Sequence, residues 1–210
     1  MDTIYKSDTK RVFLTFDDGP SPVTSKILDI LKQENVKATF FILGSNVDSR
    51  KDVVKRMYEE GHYLANHGYS HTYSKIYSSP QSVLDEYNEC NDKVKNAIEV
   101  PDYNSHLFRF PGGLAGGKYT EIKKEAKELL LQNNIVNVDW NALTGDAETN
   151  NLSVEFEMTR LTETMESKNS LVILMHDAAA KSVTADALPQ IIAKLKEEGY
   201  EFKHFYDIIK

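Results

Sequence analysis

The sequence predicts an α/β protein, a distorted (β/α) barrel of about seven strands folded as one domain, and three observations predict it. Apolar runs of strand length alternate with longer segments of helical period from end to end. None of those runs is followed by a Gly-rich nucleotide fingerprint, which favours a barrel over an open doubly wound sheet. The residues able to do chemistry fall directly after apolar runs, and the C-terminal ends of parallel strands are where barrel sites gather. A chain of 210 residues with 40% hydrophobic content is long enough for one sizeable core.

The elements follow in order. Strands are expected at residues 12–16, 38–43, 63–66, 107–110, 135–139, 171–175 and 201–205, each a short apolar run bounded by turn residues. Between them, "SKILDILKQEN" carries Ile27, Ile30 and Leu31 at the spacing of one helix face, and Val53, Val54 and Met57 mark a second helix. Residues 83–98 make a long helix with a polar face. Leu188, Ile191, Ile192 and Leu195 repeat the apolar pattern before Gly199, which suits a helix C-terminus. "PGGLAGG", residues 111–117, is the most glycine-dense stretch and reads as a loop passing close to something.

Charge and cysteine content exclude several functions. A net charge of −7 lacks the basic footprint of a nucleic-acid or anionic-membrane partner, and a neutral or cationic substrate is easier to accommodate. The single cysteine, Cys90, permits neither an intrachain disulfide nor a cysteine-rich metal site. No apolar stretch precedes residue 12, so the chain is expected either to be cytoplasmic or to be a domain excised from a longer exported protein. A monomer is expected.

The chemistry concentrates at strand ends. "LTFDDGPS" places Asp17 and Asp18 where an apolar strand meets a Gly-Pro turn. Successive strand residues face opposite ways, so the two carboxylates can hold different jobs, one acid/base and one metal-binding, although the same pattern also occurs as an ordinary turn. "NHGYSH" spaces His67 and His71 four apart, which on a helical or irregular turn brings both rings to one side. Two histidines and one aspartate, without cysteine, suit Zn²⁺, Co²⁺, Ni²⁺ or Fe²⁺ in an open site. His176 ends "LVILMH" at another strand terminus, where a group titrating near neutrality can meet substrate. Arg109 and Asp139 end two more strands, the second beside Trp140, the only tryptophan.

Taken in order, TFDDGP (15–20), HGYSH (67–71), RFPGG (109–113), DW (139–140) and LMH (174–176) resemble the motifs of polysaccharide deacetylases with a NodB-type domain, carbohydrate esterase family four. The resemblance spans nearly the whole chain and implies a distorted barrel of seven or eight strands. It further implies a metal triad of Asp18, His67 and His71, a general base in Asp17, and a general acid in His176. Arg109 would orient Asp17, and Asp139 would orient His176 and keep it protonated. The loop of Pro111, Gly112 and Gly113 would offer a backbone N–H to the oxyanion, and Trp140 and Leu174 would wall the acetyl pocket. One position departs from the pattern: many members carry tyrosine where Gly112 stands.

The activity so implied is metal-dependent, Zn-favoured N-deacetylation of N-acetylglucosamine units in an acetylated polysaccharide, peptidoglycan or a related wall glycan first among them. Chitooligosaccharide or O-acetyl xylan is the alternative substrate. A wall substrate would place the full-length protein outside the cell or anchored at its surface. A glycoside hydrolase would draw its carboxylate pair from separate elements, with no need of His67 and His71. An inactive carbohydrate-binding domain would have no need of the complete set of reactive residues.

Overall fold

The computed structural model describes residues 2–208. A short 3-10 turn, Asp2–Tyr5, leads into β1 (Arg11–Asp17), α1 (Pro22–Gln33), β2 (Thr39–Ile42), α2 (Gly44–Val47), α3 (Lys51–Glu59), β3 (Tyr63–Asn66), α4 (Tyr73–Ile76) and α5 (Pro80–Ile98). There follow β4 (Leu107–Phe108), α6 (Thr120–Gln132), β5 (Val136–Asn137), β6 (Ala142–Leu143), α7 (Val154–Met165), β7 (Ser170–His176), α8 (Ser182–Glu197) and β8 (Glu201–Lys203). All pairings are parallel, in the order β5-β4-β3-β2-β1-β7-β6, with β8 against the first half of β1. The sheet curls into a half-barrel of the distorted (β/α) type, with β5 and β6 at its two edges.

Seven of these strands overlap the seven expected ones. The eighth, β6, is only two residues long and carries too little pattern to be read from sequence. Helices α6 and α7 also go beyond the segments that periodicity singled out. His67 and His71 do not sit on a helix: Gly68 (φ +84°) and His71 (φ +53°) both adopt left-handed backbone, and the segment turns irregularly.

Alternation along β1 explains where the core lies. Val12, Leu14 and Phe16 face the helices and join Ile27, Leu31, Ile173 and Leu188 in the main apolar layer. Phe13 faces inward and packs with Phe41, Tyr63, Val172 and Phe205 inside the curl. The period of two then carries Thr15 and Asp17 inward as well, so the sheet's inner wall changes from apolar to reactive toward its C-terminal end. The capping box of α1, with Ser21 accepting from Val23 and Thr24 closing back on Ser21, stops the chain immediately after the Asp17-Asp18 turn.

Candidate active site

Asp17 ends β1 fully buried, and its register partner across the sheet is His176, the last residue of β7. The guanidinium of Arg109, itself without solvent exposure, donates from Nη1 to Asp17 Oδ1 at 2.7 Å and to Thr15 Oγ1 at 2.8 Å. Its other donors are taken by the carbonyls of Val138 and Asp139, each at 3.0 Å, and its plane lies 3.9 Å from the Phe41 ring centre. An arginine held by four hydrogen bonds cannot swing away, so it fixes one oxygen of Asp17 and leaves Oδ2 toward the cleft. Burial raises the Asp17 carboxyl above its ordinary range, while Arg109 and then His176 pull it back.

Asp18 departs from the strand with φ +76°, a left-handed residue that turns its carboxylate away from the direction alternation would give. Gly19 follows because a Cβ there would lie 2.0 Å from Asp177 Oδ2. Asp177 is a buried carboxyl that burial raises to about 7, with Thr24 Oγ1 donating to Oδ2. Ser21 Oγ donates to the Asp177 carbonyl, so the end of β7 grips the turn after β1. Nothing in the sequence distinguishes Asp177 from a solvated carboxylate.

The Asp18 Oδ1 atom lies 3.6 Å from His67 Nε2 and 3.5 Å from His71 Nε2. Those spacings are too long for hydrogen bonds, and Oδ1 is buried without a hydrogen-bond partner among the described residues. All three ligand atoms lie within 4.8 Å of one another. His67 donates from Nδ1 to the Arg109 carbonyl at 2.7 Å, and burial pushes the ring down to about 3, so Nε2 carries a free lone pair. An orphaned carboxylate oxygen and two imidazole lone pairs converging on one gap fit a divalent cation with metal–ligand bonds of about 2.0–2.2 Å. The loop holding both histidines is stitched by Glu86 of α5, which accepts from the backbone N–H groups of Tyr69 and Ser70, both at 2.9 Å. Nothing in the sequence near the histidines signalled Glu86.

The expected partner of His176 is corrected here. Asp139 does not touch it: Asp139 Oδ2 accepts from the Leu114 backbone N–H at 3.1 Å. The partner is Asp146, whose Oδ1 accepts from His176 Nδ1 at 2.8 Å and whose Oδ2 accepts from the His176 backbone N–H at 2.7 Å. The cause is the unread strand β6, which pairs Ala142 with Ile173 and Leu143 with Leu174 and so delivers the following turn to the end of β7. Asp139 belongs to the far edge of the sheet, where Val138 bonds Phe108. The sequence signal for Asp146 was the strand-then-glycine pattern of "ALTGD". Burial would lower His176, but the hydrogen bond and charge of Asp146, helped by Asp17 and Asp18, raise it to about 9.

Asp17, Asp18, His67, His71 and His176 line a cleft of about 510 Å³ together with Tyr73, Gly112, Trp140, Leu143, Ala147 and Leu174. Pro111 is buried, and its carbonyl accepts from Tyr77 Oη at 2.7 Å. In the glycine loop the Gly113 N–H is spent on the Phe110 carbonyl and the Leu114 N–H on Asp139. The Gly112 N–H has no partner among the described residues. Gly112 has φ +73°, and a Cβ added to it would stand 2.4 Å from Tyr73 Oη. The side chain missing at position 112 is thus replaced in space by the phenol of Tyr73, arriving from α4.

Parallel half-barrel, strand-end cleft, buried acid and base together define a hydrolase of the (β/α)-barrel kind. The family model for polysaccharide deacetylases matches residues 5–132, and the chain belongs to that family, carbohydrate esterase family four. A putative polysaccharide deacetylase of Bacillus subtilis, YheN, is 38% identical over 92% of this chain and 66% of its own length. A peptidoglycan-N-acetylglucosamine deacetylase of Bacillus cereus is 34% identical over 95% of this chain and 71% of its own. Among solved structures, a Streptococcus mutans CE4 esterase superposes with a TM-score of 0.88 at 35% identity, covering 97% of this chain and 90% of that one. No helix among the described residues is long and apolar enough to cross a membrane.

Proposed function

We propose that the chain is a metal-dependent N-deacetylase of N-acetylglucosamine units, acting on peptidoglycan or a related bacterial wall glycan. The observation that carries the reading is the cleft itself: an orphaned Asp18 oxygen facing two imidazole nitrogens, with a buried carboxylate on one side and a cationic histidine on the other. Asp18, His67 and His71 would hold one divalent cation, Zn²⁺ in the first instance. When bound, it supplies Lewis-acid polarisation of the acetamide carbonyl and makes water a stronger acid.

The protein's own groups account for the rest. Asp17, steadied by Arg109, takes the proton of the attacking water through Oδ2. The Gly112 N–H donates to the carbonyl oxygen as negative charge develops there. Asp139 serves that step indirectly, because its bond to the Leu114 N–H holds the loop that presents Gly112. His176 enters the reaction protonated and gives its Nε2 proton to the departing amine, while Asp146 holds the other ring nitrogen and stabilises the imidazolium. Leu174 and Trp140 wall the acetyl site, and the Tyr73 ring closes the side left open by Gly112. The relatives' printed activities support this substrate, and a wall polymer implies a site of action outside the cell.

The test is acetate release from N-acetylglucosamine oligomers, peptidoglycan and acetylated xylan, each assayed with metal-depleted and Zn²⁺-reloaded protein. Release from the glucosamine polymers only after reloading is expected. Release from xylan alone would overturn the substrate, and full release after depletion would overturn the metal.

A further inference from the structure

Behind the Asp146–His176 pair lies a second buried carboxyl that the chemistry above does not use. Glu157 sits on the core stripe of α7 with Leu161 and Met165 and has no solvent exposure. Its Oε1 lies 3.2 Å from Thr184 Oγ1 in α8, and the same hydroxyl lies 3.1 Å from Asp146 Oδ2. Glu157 Oε2 is buried with no hydrogen-bond partner among the described residues.

Counting protons decides the state of this chain. Thr184 has one hydroxyl hydrogen and stands between two carboxyl groups, so it can donate to only one of them. If both were ionised, the other contact would press two lone pairs together inside the core. The missing proton does not belong on Asp146, because Oδ1 and Oδ2 already accept N–H groups from His176. Glu157 receives no N–H donor, and besides Thr184 only the hydroxyl of Thr144 lies beside it, which lowers the carboxyl less than burial and Asp146 raise it. We infer that Glu157 is held as the neutral acid, donating to Thr184 Oγ1, which in turn donates to Asp146 Oδ2, and that it is a positioning residue for the general acid.

The surrounding charges agree with this assignment. The ionisable groups facing Glu157 are Asp146 from the turn after β6 and Lys181 from the start of α8, with His176 beyond Asp146. Lys181 spends its ammonium on the Asp146 backbone carbonyl at 2.6 Å rather than on Glu157. Burial first, and then the charge of Asp146, raise Glu157 to about 7. A neutral donor at the end of the chain orients Asp146 without adding a second negative charge beside His176.

The proposal's kinetic arm rests on the deacetylase reading, so the decisive measurement is made without substrate. Infrared difference spectra of the wild type and Glu157→Gln at pH 6 should contain a protonated-carboxyl stretch that the variant lacks. Its absence would overturn the proposal whether or not the protein releases acetate. In the kinetic arm, Glu157→Leu should lower kcat by about tenfold, the effect of leaving one buried hydroxyl without its donor, and Thr184→Val should do the same. Glu157→Gln, still neutral and still a donor, should rescue kcat and keep the alkaline limb of kcat/KM in place. A limb moved to lower pH in Glu157→Gln would show that a charge had been removed, and the neutral acid would then be wrong. Thermal melts accompany each variant; if Glu157→Leu does not fold, Thr184→Val and Glu157→Gln still decide the matter.

Discussion

Two oppositely charged pairs flank the cleft, and they use one device for opposite ends. Asp17 and His176 are register partners on adjacent strands, and each is bound by a buried group brought from elsewhere in the chain. Arg109 holds Asp17 by a charge that favours the carboxylate against burial. Asp146 holds His176 by a charge that favours the imidazolium against burial. Burial opposes the charged form on both sides, more completely at Asp17 than at His176, and the sign of the partner opposes burial in turn. The difference lies in anchoring. Arg109 is held by two carbonyls, a hydroxyl and an aromatic face and amounts to part of the core, whereas Asp146 is held by His176 itself, with Thr184 behind it.

That contrast can be broken from the inside out. Removing the reactive members should have the largest effect: Asp17→Asn and His176→Ala should each lose roughly two to four orders of magnitude in kcat with the fold retained. Asp17→Asn should still bind metal, checked by elemental analysis; near-native turnover in either variant would end its assignment. Removing the anchor on the first side should strike stability as well. Arg109→Met leaves a buried carboxylate uncompensated, so a loss of about 3–5 kcal/mol is expected in denaturant unfolding at neutral pH. A melt indistinguishable from wild type would show that Asp17 is less dependent on Arg109 than the geometry requires.

On the second side the expected effect is smaller and visible mainly in pH. With His176 raised to about 9, the alkaline limb of kcat/KM should fall near there. Asp146→Asn should move the limb to lower pH and cut activity by about ten- to a hundredfold. The sign for stability follows from linkage: the His176 contribution is fully present below about 6.5, the unfolded value, and is lost as pH rises through about 9. Urea midpoints of the wild type should therefore fall across that window more than those of Asp146→Asn. The smallest shift is expected at Asp139. Because its carboxylate touches Leu114 and not His176, Asp139→Asn should leave the alkaline limb unmoved at equal metal occupancy. A limb shifted downward as far as in Asp146→Asn would reverse the correction.

The residues named from sequence after β1, β3 and β4, namely Asp17, Asp18, His67, His71 and Arg109, are brought together in the structure. Each of those strands had an apolar run long enough to announce itself, and in a parallel barrel every such end opens on the same rim. The second half of the chain was less legible. Ala142 and Leu143 stand between Asn141 and Thr144 and make no apolar run, and Asp139 beside the only tryptophan looked more like a site residue than Asp146 in a polar turn. Glu86, Asp177 and Glu157 were silent for a related reason: a carboxyl on a helix face or after a histidine reads as solvated until the packing shows Asp177 and Glu157 buried and Glu86 bonded to the histidine loop.

By itself, then, the sequence determined the alternation of strand and helix, the inward-facing period of β1, and which side chains end the long strands, because those properties depend on neighbours in the chain. Only the tertiary structure decided that Asp18 turns left-handed to meet both histidines, that Asp146 holds His176, that Tyr73 fills the space over Gly112, and that one threonine hydroxyl lies between two carboxyls. Those outcomes depend on register and on contacts between residues 27 to 53 positions apart. A shift of one residue in a strand would rearrange them while leaving every local pattern unchanged.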